Sequence, residues 1–154
     1  MFRRTSAETT VKGLANIDSR REAVSISEVN MTQLRELRCV ACNANSPHVT
    51  EQEVEEMYPQ VSDWNITQED GIRKLQRLYR FQNFKQALTF SYTVGEMAEE
   101  EGHHPRIVTE WGRVMITWWT HKIRDLHRND FIMAAKTDQL YPAFSMSSEP
   151  KSPA

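Results

Sequence analysis

Along residues 50–141 the apolar positions change period several times, and each change marks an element. "TEQEVEEMYP" opens on Thr50, a good N-cap residue, carries acids in its first turn and stops at Pro59, which predicts a short helix. "VSDWNI" predicts a brief extended piece around Trp64, and "EDG" at residues 69–71 a hairpin turn. The run "IRKLQRLYRF" is ambiguous. Leu75, Arg77, Tyr79 and Phe81 alternate as in a strand, whereas Ile72, Leu75 and Tyr79 also suit a helix. From Asn83, a second N-cap, Phe84, Ala87, Leu88, Val94 and Ala98 form the apolar stripe of a central helix that ends at Gly102.

"RIVTEWGRVMITWWTH" then divides around Trp111, Gly112 and Arg113 into a hairpin. Val114, Ile116 and Trp118 fall on one face, and Met115, Thr117, Trp119 and His121 on the other. After "KIRDLHRN", Asp130 is placed to cap a last helix through Tyr141, with Phe131, Ala134 and Ala135 facing inward. The order α-β-β-α-β-β-α predicts an α+β fold with helices on one face of an antiparallel sheet. The other face then needs a cover, from dimerisation or from a ligand.

Composition narrows this picture. With 154 residues and 39% hydrophobic content there is material for one domain, expected over residues 49–141, with a flexible extension over 1–48 and a disordered tail over 142–154 rich in proline and serine. A net charge of -2 argues against direct nucleic-acid binding, and no apolar run nears the length of a membrane span. Two cysteines suit a reducing compartment, so a cytoplasmic location is expected. The arginine-bearing, hydroxyl-rich start leaves mitochondrial or other organelle import as the alternative, against which Glu8 and Asp18 count, and Met31 could begin a shorter form.

The chain has only five histidines, yet His103 and His104 stand side by side between Gly102 and Pro105, at a stiff corner. In extended backbone the two rings point apart and could handle two atoms of one flat ligand. With His121 they supply imidazoles able to exchange protons near neutral pH, against the plainer reading of satisfied surface residues. Asp130 reads as a helix cap or as an orienting carboxylate. Adjacent histidines make poor metal ligands, so no metal and no cofactor is expected. Cys39 and Cys42 form a single C-x-x-C, which with His48 could hold zinc or act as a redox pair, but a non-catalytic role fits better. His48 and His127 are expected at the surface. The four tryptophans suit core or interface, with one available as an aromatic wall.

The ordered set Trp64-Asn65, "FQNFKQALTF", "GHHP", Trp111, "TH" and Asp130, nine residues beyond His121, resembles the pterin-4a-carbinolamine dehydratase family, also known as the dimerisation cofactor of a hepatocyte nuclear factor. The resemblance spans about residues 50–141 and implies a four-stranded antiparallel sheet with three helices on one face, which makes residues 72–81 a strand. It implies a homodimer or homotetramer and dehydration of 4a-hydroxytetrahydrobiopterin to quinonoid dihydrobiopterin, in tetrahydrobiopterin recycling. By position, His103, His104 and His121 would surround the pterin, His104 carrying most weight. Asp130 would orient one imidazole, Trp64 would help close the pocket, and Glu99, Pro105 and Thr120 would be contacts. A protein partner, a hydroxylase or a transcription factor, is also implied. The rival reading is a non-enzymatic, oligomer-stabilising coactivator. Trp119 and the long amino-terminal extension depart from the family pattern.

Overall fold

The computed structural model describes residues 34–145. The import-like start and Met31 therefore lie outside the described residues, as does the tail beyond Ser145. Helix α1 spans Glu51–Met57 and runs into a 3-10 turn at Tyr58–Val61. The expected cap at its start is a full capping box: Thr50 Oγ1 accepts from the Glu53 N–H, and the Glu53 carboxylate accepts from the Thr50 N–H. Strands β1 (Asn65–Glu69) and β2 (Ile72–Arg80) follow, joined at Asp70 and Gly71, both with positive φ, the geometry of a two-residue hairpin turn. Helix α2 is Phe84–Glu101, strands β3 and β4 are Arg106–Glu110 and Arg113–Trp118, and α3 is Arg128–Leu140.

The four strands form one antiparallel sheet in the order β1-β2-β4-β3. The ambiguous run at residues 72–80 is a strand because it lies between two others. Its Leu75 pairs with Trp118 and its Tyr79 with Val114, and all four side chains are buried. Helices α2 and α3 pack on that face, and the 3-10 turn packs on α3. The core joins Leu75, Tyr79, Ile116 and Trp118 of the sheet to Phe90 and Val94 of α2 and Phe131 and Met133 of α3. On the opposite face Leu78, Met115 and Val108 stand in one register row, with no helix of the described residues over them.

Several expectations need correction. The α2 stripe is rotated: Ala87, Phe90, Val94 and Ala98 are buried, whereas Phe84 and Leu88 are about half exposed. Strand β4 ends at Trp118, so His121 sits in a turn closed by the isolated bridge of Thr120 and Asp125 rather than at a strand position. The last helix starts two residues before Asp130. His127 is its N-cap, Nδ1 accepting from the Asn129 N–H, and Asp130 is the third residue, accepting from the His127 N–H. His127 is therefore buried, and that burial lowers its pKa, since charging the ring would cost it both solvation and the capping bond. His48 is at the surface as expected, paired at 2.8 Å with Asp125.

Residues 34–48 are not a loose extension. Leu34 is in the core, and the chain from Cys39 to Val49 is bonded to α2, to α3 and to the loop before α3. The far end also continues past its expected limit. Pro142–Ser145 form a single helical turn, α4, which puts the Phe144 ring 5.4 Å from that of Phe90.

Candidate active site

Gly102 closes α2 in the left-handed conformation (φ 64°), its own N–H returning to the Glu99 carbonyl and that of His103 to Ala98. A residue with a β-carbon is strained at this φ, which accounts for the glycine before the histidine pair. His103 is thus fixed through its backbone before its side chain makes any contact.

The His103 ring is buried and lies parallel to Trp118, 10° between planes, and its Nε2 is 2.6 Å from Asp130 Oδ1. Asp130 is fully buried. Its second oxygen accepts from Thr120 Oγ1 at 2.9 Å and from the His127 N–H at 2.8 Å. One carboxylate therefore joins α3, the loop after β4 and the histidine corner: Asp130 is not the N-cap that was expected but the third residue of the capping box, and it also holds the His103 ring. With Nε2–H committed to Asp130, Nδ1 is the His103 nitrogen left to take up a proton.

His104 points the other way, as an extended pair requires. Its side chain is 57% exposed, and Nε2 is 2.8 Å from the Glu99 carboxylate. The His121 ring is 4.3 Å from that of Trp119, while Lys74 and Arg106 approach the Trp119 ring at 4.5 and 5.5 Å. Trp119 is therefore the backing of His121.

Gly102, His103, His104, Thr120, His121 and Lys122 line one cleft of about 460 Å³, large enough for a bicyclic heterocycle, together with Ala41 and Cys42. The three imidazoles from two separate segments meet there. Of the other expected contacts, Glu99 reaches the site through His104, and Pro105 follows the pair as a partly exposed corner outside the cleft lining.

Trp64 does not reach this cleft. It is wholly buried, Nε1 donating to both oxygens of Asp138 at 3.0 Å, its ring edge-on to Tyr79. Asp138 also accepts from Arg77 and from the Tyr79 hydroxyl, and burial holds its carboxyl above the ordinary range against the pull of those bonds. A tryptophan between two polar stretches gives no sign of whether its ring faces a cleft or a buried carboxylate 74 positions away. Among the described residues no three histidine, cysteine or acidic side chains gather as a metal site, and Cys39, Cys42 and His48 do not come together as one.

The fold is an α+β layer with a histidine-lined cleft at the end of its central helix, and the comparisons give the chain a family. The profile described as Pterin 4 alpha carbinolamine dehydratase matches residues 47–140. A Nitrosococcus oceani protein, provisionally named a pterin-4-alpha-carbinolamine dehydratase, is 56% identical over 110 residues, covering 71% of this chain and 97% of its own. The chain belongs to the pterin-4a-carbinolamine dehydratase family and is a dehydratase.

Among solved structures, a transcriptional coactivator/pterin dehydratase from Brucella melitensis superposes with a TM-score of 0.55 at 27% identity, over 62% of this chain and 99% of that one. A pterin dehydratase-like protein identified as a RuBisCO assembly factor in the alpha-carboxysome aligns over 51% of this chain and 89% of its own, at 22% identity and a TM-score of 0.44, too distant to bear on this site.

Proposed function

We propose that the protein dehydrates 4a-hydroxytetrahydrobiopterin to quinonoid dihydrobiopterin and so serves tetrahydrobiopterin recycling. The supporting observation is the convergence of His103, His104 and His121 on one cleft in a chain of this family. The reaction breaks the C4a–O bond, with a proton delivered to the departing hydroxyl so that it leaves as water. The N5–H proton goes to a base, and its electron pair forms the N5=C4a double bond. One positioned acid and one positioned base suffice.

In this reading His104 and His121, which line the same cleft, divide these roles, and His103, held by Asp130, fixes the corner beside them. A direct assay generates the 4a-hydroxypterin in situ and follows quinonoid product against the spontaneous background. The His104→Ala variant is expected to lose on the order of 100-fold of the catalysed rate. A wild-type rate equal to background would end the proposal.

We also infer a homodimer or homotetramer. Phe84, Leu88 and Tyr92 recur every fourth residue along one side of α2, 46%, 53% and 67% exposed, and the Leu78, Met115 and Val108 row lies on the open side of the sheet. Leu88→Glu is expected to lower the mass measured by sedimentation equilibrium to that of a smaller species. An unchanged mass would remove the helix stripe from the interface. The Brucella melitensis protein is described as both transcriptional coactivator and pterin dehydratase, and a non-enzymatic partner role for this chain would draw on these same surfaces.

A further inference from the structure

We propose that the strap formed by residues 38–42 is a wall of the pterin-binding cleft and that Ala41 and Cys42 limit which substrates fit. This rests on reading the cleft as the pterin site, and it adds a part of that site lying outside the residues 47–140 matched by the family profile.

The cleft has three sides: the corner at Gly102, His103 and His104, the loop at Thr120, His121 and Lys122, and Ala41 with Cys42. The third side is as firmly built as the other two. Asn129 pairs with the strap as a neighbouring strand would: Oδ1 accepts from the Val40 N–H at 3.1 Å, and Nδ2 donates to the Val40 carbonyl at 2.7 Å and lies 3.1 Å from Cys42 Sγ. On the cleft side Lys122, next to His121, donates to the Cys42 carbonyl at 2.8 Å. Upstream the Cys39 N–H donates to Glu101, whose other oxygen receives Lys136.

Asn129 and Asp130 are neighbours in the first turn of α3. The first holds the strap and the second holds His103, so one helix turn sets both walls at a fixed spacing. Burial pushes the Cys39 thiol up to about 12 and raises that of Cys42 as well. Both are therefore mainly neutral thiols, so Cys42 presents a small, weakly polar surface and reacts slowly, through its minor thiolate fraction. Beside Ala41 it offers van der Waals contact to a flat ring and no charge to its polar edge. Position 41 is solvent-facing, so a larger residue there reduces the room for ligand without disturbing the core.

The test uses the wild-type chain. Binding of 7,8-dihydrobiopterin, a pterin with no 4a-hydroxyl to lose, is first measured by fluorescence titration. Alkylation of Cys42 by N-ethylmaleimide is then followed by tandem mass spectrometry, which separates it from Cys39, with and without saturating pterin. Bound pterin is expected to slow Cys42 alkylation at least about fivefold. Ala41→Phe is expected to raise KM about tenfold, with kcat within about twofold and an unchanged unfolding temperature. Undiminished alkylation with pterin bound, or an unaltered KM in Ala41→Phe, overturns the strap's role and leaves the dehydratase reading standing. No binding of pterin at all removes that reading and the strap proposal with it.

Discussion

Asp130→Asn is expected to lower kcat on the order of 100-fold while the protein stays folded. The Oδ2 position serves two donors, Thr120 Oγ1 and the His127 N–H, so the amide oxygen of an asparagine takes that place. Its NH₂ then faces His103 Nε2, where the carboxylate oxygen had been. Two donors cannot share that contact, so the His103 proton moves to Nδ1 and the ring presents the opposite tautomer to the cleft. Steady-state kinetics across pH, with nitrogen-resolved NMR of His103, measures both effects. Stability should fall by about 1–3 kcal/mol, the range for one compromised buried hydrogen bond. A kcat within twofold of wild type would show that the Asp130–His103 contact does not position the catalytic imidazoles.

The second large effect is on stability alone. Trp64→Ala is expected to cost about 3–5 kcal/mol, through the cavity it leaves and the loss of one of the donors to Asp138. Trp64→Phe keeps most of the volume and should cost about 1–3 kcal/mol through the missing Nε1–H. Because Trp64 lies in the core and not in the cleft lining, kcat and KM per folded molecule should be unchanged in Trp64→Phe. A tenfold rise in KM with normal stability would return Trp64 to the substrate pocket. Chemical unfolding together with active-site titration separates the outcomes.

The arrangement of elements was largely legible in the chain, because caps and turns carry their signals locally. Thr50, Asn83 and Gly102 do in the structure what their residue types imply. The run at residues 72–80 could not be resolved by periodicity, since its strand form depends on β1 and β4 on either side. The start of α3 was misplaced because His127 is an unusual capping residue, with a ring nitrogen doing what a hydroxyl or carboxylate usually does.

The three histidines were visible as chemistry. Their meeting depended on the turn at Thr120–Asp125, which the alternating pattern through His121 concealed. What the sequence hid most thoroughly was the strap. Residues 34–48 have no regular period because side chains of other elements, Asn129, Glu101 and Lys122, satisfy much of the strap's backbone, and no local pattern records such a partnership. A C-x-x-C with no third ligand offered chemistry to look for, where the structure gives a surface.

The first turn of α3 has a consequence for how the protein loses activity. Its capping box, the latch on His103 and the clasp on the strap are built from three residues within four positions, His127, Asn129 and Asp130. Fraying of that turn would release the helix start, the imidazole and the cleft wall together. Inactivation by mild heat or denaturant is therefore expected to begin with a local opening here, ahead of global collapse of the sheet and visible as amide exchange faster at this turn than in the strands.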